Sequence, residues 1–139
     1  MDERAIAKEL SANDAGETGG HQAGILVPKE PDLLSFFPRL DASQYNPRAH
    51  IIFTDEAGGQ WEFAFIYYNN ALFGKTRNEY RLTRMTKYIR QSGLVSGDHI
   101  EMKKSADGNY YINFRRKNSL EYTEGKALRL SSGWRVIDI

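Results

Sequence analysis

Apolar and polar positions alternate along this chain in short runs, broken repeatedly by glycine, asparagine, aspartate and proline. Alternation with period two puts one set of side chains on one face of a strand. His50 to Thr54 and Gln60 to Tyr68, rich in Ile, Phe, Trp and Tyr, predict strands, and Asp55-Glu56-Ala57-Gly58-Gly59 between them predicts a hairpin turn. His99 to Lys104 and Tyr110 to Arg116 predict a second hairpin around Ala106-Asp107-Gly108-Asn109, preceded by a turn at Ser96-Gly97-Asp98. Ala23 to Val27 predicts a buried strand stopped by Pro28, and Trp134 to Ile139 a final strand. Residues 4–11 alternate weakly, with Ile6, Lys8 and Leu10 on one parity; a short strand fits them, with a short helix as the alternative. Two helices are expected: Leu33 to Phe37, with Asp32 as N-cap and Pro38 as stop, and Met85 to Gln91, ended by Gly93. Asp41 to Arg48 reads as a polar connection and Asn69-Asn70 as a tight turn. Many short strands with glycine turns and two short helices predict a β-barrel or a rolled sheet.

A length of 139 residues fits one domain, residues 1–139, able to bury roughly two-thirds of its unfolded surface. No run approaches the ~20 apolar residues of a membrane span, and the first residues are not a signal peptide, so a cytoplasmic protein without a membrane partner is expected. Cysteine is absent, and His21, His50 and His99 lack ligand spacing, so neither a structural metal nor a cofactor is expected.

Charge changes the picture. The formal net charge is only +1, but Lys75 to Arg90 hold six Lys or Arg (Lys75, Arg77, Arg81, Arg84, Lys87, Arg90) against the single acid Glu79. Residues 1–20 lean the other way, with Asp2, Glu3, Glu9, Asp14 and Glu17 against two bases. A second basic cluster lies at Arg115-Arg116-Lys117. Such stripes neutralise phosphate even when the whole chain is near neutral. Gly74 ends the apolar run before Lys75, and Thr, Asn and Tyr make the next residues poor helix formers. In an extended segment, Lys75, Arg77, Glu79 and Arg81 share one face. Arg or Lys can give two hydrogen bonds to guanine O6 and N7, and Glu can accept from the cytosine amino group. A solvated basic strand in which Glu79 merely offsets its neighbours fits the same residues.

Other motifs carry less. Ser11 to Gln22 is a loop dense in glycine and small polar residues; no Lys-Ser or Lys-Thr follows it, and a strand rather than a helix comes next, so a Walker phosphate cradle fails. Asp98, Glu101 and Lys103 outline the D…ExK constellation of magnesium-dependent nucleases, in which carboxylates hold the metal and lysine polarises the attacking water. Asp98 precedes Glu101 by only three residues, in the turn leading into the same strand, where that chemistry calls for a neighbouring strand. A metal-dependent nuclease is nevertheless the alternative reading. Neither a G-x-S-x-G elbow nor a Cys/His pair is present. Tyr67, Tyr68, Tyr110, Tyr111 and Phe114 fit either core positions or a stacking platform for single strands.

Two long stretches, Ser11-Ala12-Asn13-Asp14-Ala15-Gly16-Glu17-Thr18-Gly19-Gly20-His21-Gln22-Ala23-Gly24 and Tyr67-Tyr68-Asn69-Asn70-Ala71-Leu72-Phe73-Gly74-Lys75-Thr76-Arg77-Asn78-Glu79, resemble the N-terminal effector DNA-binding domain of the EcoRII-like restriction endonucleases. The resemblance implies a mainly β (α+β) chain with the DNA-binding pseudobarrel fold of the plant B3 type: seven strands and two short helices. It also implies sequence-specific binding of double-stranded DNA through the major groove by two arms. The role implied is the effector or target-recognition domain of a type II (IIE-like) enzyme, with a site such as CC(A/T)GG. No catalysis is expected here, and the nuclease domain of the parent chain is the implied partner. The first arm offers Ser11, Asn13, Asp14, Glu17, Thr18, His21 and Gln22; the second offers Lys75, Thr76, Arg77, Asn78, Glu79, Tyr80 and Arg81. On this resemblance Lys75, Arg77 and Arg81 read guanines, and Glu79 with one of Asp14 or Glu17 reads cytosines. Arg84, Lys87, Arg90 and the 115–117 cluster hold phosphates. The family carries a tyrosine and a lysine where this chain has Leu26 and Tyr80. The chain stops inside an apolar, strand-like run, as a domain cut from a larger enzyme would.

Overall fold

Strands β1 (Arg4–Glu9), β2 (Ile25–Val27), β3 (Arg48–Thr54), β4 (Gln60–Tyr68), β5 (Glu79–Thr83), β6 (His99–Lys104), β7 (Tyr110–Arg115), β8 (Ala127–Arg129) and β9 (Trp134–Ile137) form one sheet. Its spatial order is β2-β5-β4-β3-β7-β6-β1-β9-β8. The computed structural model describes residues 3–17, 24–117, 127–129 and 133–137. Neighbouring strands run antiparallel except β3 and β7, which pair in parallel with Phe53 opposite Tyr110. Strand β2 stands at one end of that order and β9 next to the other end, yet Trp134 Nε1 on β9 donates to the carbonyl of Leu26 on β2 at 2.8 Å. The sheet therefore curls until its ends meet through a side chain instead of a ladder. That is a pseudobarrel.

Alternation decides most of what faces inward, while β4 is buried on both faces from Phe63 to Tyr67. Phe63, Phe65 and Tyr67 of β4, Ile51 and Phe53 of β3, Ile100 and Met102 of β6 and Trp134 of β9 are buried, and most join one core. Helix α1 (Pro31–Leu34) and the turn after it add Leu33, Phe36 and Phe37; helix α2 (Thr86–Ser92) adds Tyr88 and Ile89. Phe37 stacks on Phe65 with centroids 4.4 Å apart, and Trp61 meets Tyr88 edge-on at 5.1 Å. Each aromatic buries about 150–250 Å², so these rings dominate the hydrophobic stabilisation. Burial pushes the Tyr110 phenol up to about 12, and its hydroxyl donates to the Phe36 carbonyl at 2.8 Å.

Several expectations are corrected. The described residues form nine strands, not seven. Asp32 is not the N-cap of α1: Glu30 holds that position, Pro31 opens the helix, and the helix ends at Leu34. A proline's missing N–H costs nothing in the first turn, which favours the earlier start. Lys75 and Arg77 are not on a strand with Glu79 and Arg81. A 3-10 helix, η1 (Asn70–Phe73), and a turn precede β5, which begins only at Glu79. The Asn69-Asn70 turn is thus the start of η1. Residues 4–9 are strand, not helix. Helix α2 ends as expected at Gly93, which adopts φ 66°, and Arg116 donates to the carbonyls of Ser92 and Gly93 at 2.7 and 3.1 Å.

Candidate nucleic-acid interface

The first arm leaves the sheet after β1. Leu10 is buried and exchanges main-chain bonds with Gly97 and Asp98 at 2.9 Å each. Ser11 and Asp14 then bond reciprocally, each backbone N–H to the other's side chain at 3.0 Å. Buried Lys8 reaches the same Asp14 oxygen at 2.9 Å. Glu17 accepts from the Ser96 N–H at 2.6 Å. Both acids offered as cytosine readers therefore brace the root of the arm. Ser11 and Asn13 are exposed, and Thr18, His21 and Gln22 lie outside the described residues.

The second arm is anchored by Asn69, fully buried. Its side-chain amide donates to the carbonyls of Ala42 and Gln44 at 3.1 and 2.7 Å, and its oxygen accepts from the Asn46 N–H at 2.7 Å. Asn70 then folds the arm onto itself, its side-chain oxygen accepting from Arg77 N–H at 2.6 Å and its carbonyl from Lys75 N–H at 2.9 Å. Gly74 turns the chain with φ 86° and open space around it, leaving Lys75 and Thr76 exposed. Asn78 accepts from the Tyr67 hydroxyl and the Lys29 ammonium at 2.7 and 2.6 Å. Tyr80 turns inward, stacked on Tyr67 at 4.3 Å and on Phe65 at 5.6 Å.

The outward side chains form a charged row. The Glu79 carboxylate bonds Arg81 Nε and lies 3.6 Å from Arg77 Nη2, and Arg81 also donates to the Gly24 carbonyl at 3.1 Å. Burial alone would raise the Glu79 carboxyl, but the hydrogen bond and charge of Arg81 together with Arg77 hold it below its usual value. It is thus an ionised acceptor at neutral pH. The Arg77 guanidinium lies 3.9 Å above the centre of the Tyr68 ring.

The two arms meet at one cleft of about 290 Å³, whose lining includes Asp14 of the first, Tyr68 and Arg77 beside the second, and Arg84 and Thr86 below. Arg84 adopts φ 66°, the left-handed region, where its side chain is strained. Lys87 and Arg90 are exposed on α2. The sequence offers Tyr68 only as a candidate stacking ring and does not pair it with Arg77. Its parity opposite Tyr67, at the strand end leading into the basic arm, is the signal that would find it.

The other candidates are built into the frame. Asp98 is buried, and its two oxygens accept from the Val95 and Lys117 N–H groups at 2.8 and 2.9 Å. Glu101 pairs with Arg115 at 3.0 Å. Among the described residues no group of three or more His, Cys, Asp or Glu is placed to hold a metal ion, and no helix is long and apolar enough to cross a membrane. In the 115–117 cluster Arg115 is paired, Arg116 caps α2, and the Lys117 ammonium lies 3.4 Å from the Ser96 carbonyl. Of the five candidate stacking rings, Tyr67 belongs to the buried ring stack, and Tyr110 and Phe114 pack on the core.

The profile of the family "Restriction endonuclease EcoRII, N-terminal" matches residues 2–94, which include both arms. The type II restriction enzyme EcoRII of Escherichia coli is 44% identical over 82 residues, covering 55% of this chain and 20% of that enzyme. Auxin response factor 3 of Arabidopsis thaliana is 30% identical over 118 residues, 85% of this chain and 18% of that protein. The chain thus spans about a fifth of the length of these relatives. In the solved Arabidopsis FUS3-DNA complex, a chain 23% identical superposes with a TM-score of 0.59 over 79% of this chain and 94% of its own length. With this match over residues 2–94, the chain belongs to the family of the N-terminal domain of restriction endonuclease EcoRII.

Proposed function

We propose that this chain binds double-stranded DNA sequence-specifically, its two arms entering the major groove from either side of the cleft. The observation that carries the reading is the Arg77–Glu79–Arg81 row, a carboxylate between two guanidinium groups beside a cleft that Arg77 and Asp14 of the other arm line. Relatives named as a restriction enzyme and as a DNA complex support it. Arg77, Lys75 and Arg81 read guanines. With Asp14 and Glu17 bracing the first arm, cytosine reading falls to Glu79. Lys87, Arg84 and Arg90 meet phosphates. The recognition site is short and G·C-rich, of the CC(A/T)GG kind. The domain is non-catalytic and serves as the effector or target-recognition part of a type II restriction endonuclease. Cleavage belongs to a nuclease domain elsewhere in the parent chain, and the setting is the cytoplasm.

Competition binding tests this directly. Arg77→Ala should weaken binding to the preferred duplex by about 1–3 kcal/mol and blur one base position, whereas Lys87→Ala should weaken all duplexes alike. Equal losses on preferred and random DNA for Arg77→Ala would defeat the assignment.

A further inference from the structure

Arg77 is fixed more completely than a surface arginine needs to be. Its N–H donates to Asn70 at 2.6 Å, and its carbonyl accepts from Ala71 N–H at 2.8 Å. Its guanidinium rests on the face of Tyr68 at 3.9 Å with one edge turned to Glu79 at 3.6 Å. Tyr68 is the last residue of β4, opposite Glu79 in the register, and half-buried on the outer side of the sheet. Its ring and Arg77 line the same cleft.

We infer that Tyr68 is a specificity-determining positioning residue, whose ring face fixes the plane of the Arg77 guanidinium for bidentate reading of a guanine. The inference rests on the DNA-binding reading proposed above. Two parallel N–H groups match guanine O6 and N7 only in one plane, and a free arginine side chain samples many. A ring beneath the guanidinium fixes that plane without using any of its N–H groups. Holding the reader in its bound geometry before DNA arrives reduces the ordering cost of association.

The test uses a duplex selected by the wild-type chain from a random library, beside a random-sequence duplex of equal length. Tyr68→Phe keeps the ring face and should bind both as wild type does. Tyr68→Leu should lose about three- to thirtyfold on the selected duplex and nothing on the random one. The double variant Tyr68→Leu/Arg77→Ala should bind no more weakly than Arg77→Ala alone. Fluorinated phenylalanines at position 68 keep the shape while draining the ring face of charge, so preference should fall stepwise with each fluorine, even if Tyr68→Leu does not fold. Losses that add in the double variant, equal losses on both duplexes, or indifference to fluorination would each overturn the inference. If the wild type selects no sequence at all, the DNA reading itself fails, a result distinct from failure of the Tyr68 role alone.

Discussion

Arg84 sits where a side chain is costly. A left-handed φ of 66° disfavours any residue with a Cβ by about 1–2 kcal/mol, and among the described residues no hydrogen bond or ion pair engages the Arg84 side chain just before α2. Strain of this kind persists where the side chain does something that glycine cannot. Arg84→Gly should therefore leave thermal stability unchanged or raise it by up to about 1 kcal/mol. The same substitution should weaken binding to every duplex and lower the salt slope by about one phosphate contact. Thermal unfolding beside a salt titration of binding checks both halves. Asp98 offers a contrast, a residue whose chemistry is structural. Burial alone would raise its carboxyl, but the N–H groups of Val95 and Lys117 and the charges of Arg116 and Lys117 hold it below the usual carboxylate value. A folded value below the unfolded one means that its stabilisation is present above about pH 4 and lost as pH falls through the folded value. Asp98→Asn should cost about 1–2 kcal/mol at neutral pH. Denaturant unfolding measured down to pH 3 should then show a smaller acid-induced loss in the variant than in the wild type.

At the scale of elements, the second arm is only as rigid as its root. Asn69 is buried with its amide bonded to two carbonyls and its oxygen to one N–H of the 42–46 segment. Asn69→Ala strands those partners, and should cost about 2–3 kcal/mol in thermal unfolding. DNA affinity should fall further than stability predicts, since η1 and the turn at Gly74 lose their anchor; a titration of the still-folded variant at low temperature reads this. The arm also shows where sequence reading stops. The hairpin at Asp55–Gly59 and the Gly93 stop of α2 follow from turn chemistry, and they stand as expected. The extended reading of Lys75 to Arg81 fails because side-chain bonds from Asn69 and Asn70 outweigh strand propensity. Asn69's partners lie 23 to 27 residues away, beyond the reach of any local pattern. Strand β8 is three residues long and exists through pairing with β9, so its own sequence does not announce it. Likewise Asp14 and Glu17 look like free acceptors until Lys8 and Ser96 are folded against them.

For the whole molecule, the fold brings Asp14 of the first arm and Arg77 of the second to one cleft. Strands β2 and β5, which follow the two arms in sequence, are neighbours in the sheet. The Trp134 bond to Leu26 closes the curl behind them. Within this frame Arg77, at one end of the charged row, lines the cleft beside Tyr68. The most direct measurement replaces guanine N7 by carbon, one guanine at a time, in a duplex the chain prefers. That change removes a major-groove acceptor while keeping base pairing and the minor groove. At the guanine that Arg77 reads, the substitution should weaken the wild-type chain at least several-fold and leave Arg77→Ala unaffected. If every such guanine is neutral to the wild-type chain, or if Arg77→Ala suffers equally, the major-groove account is wrong.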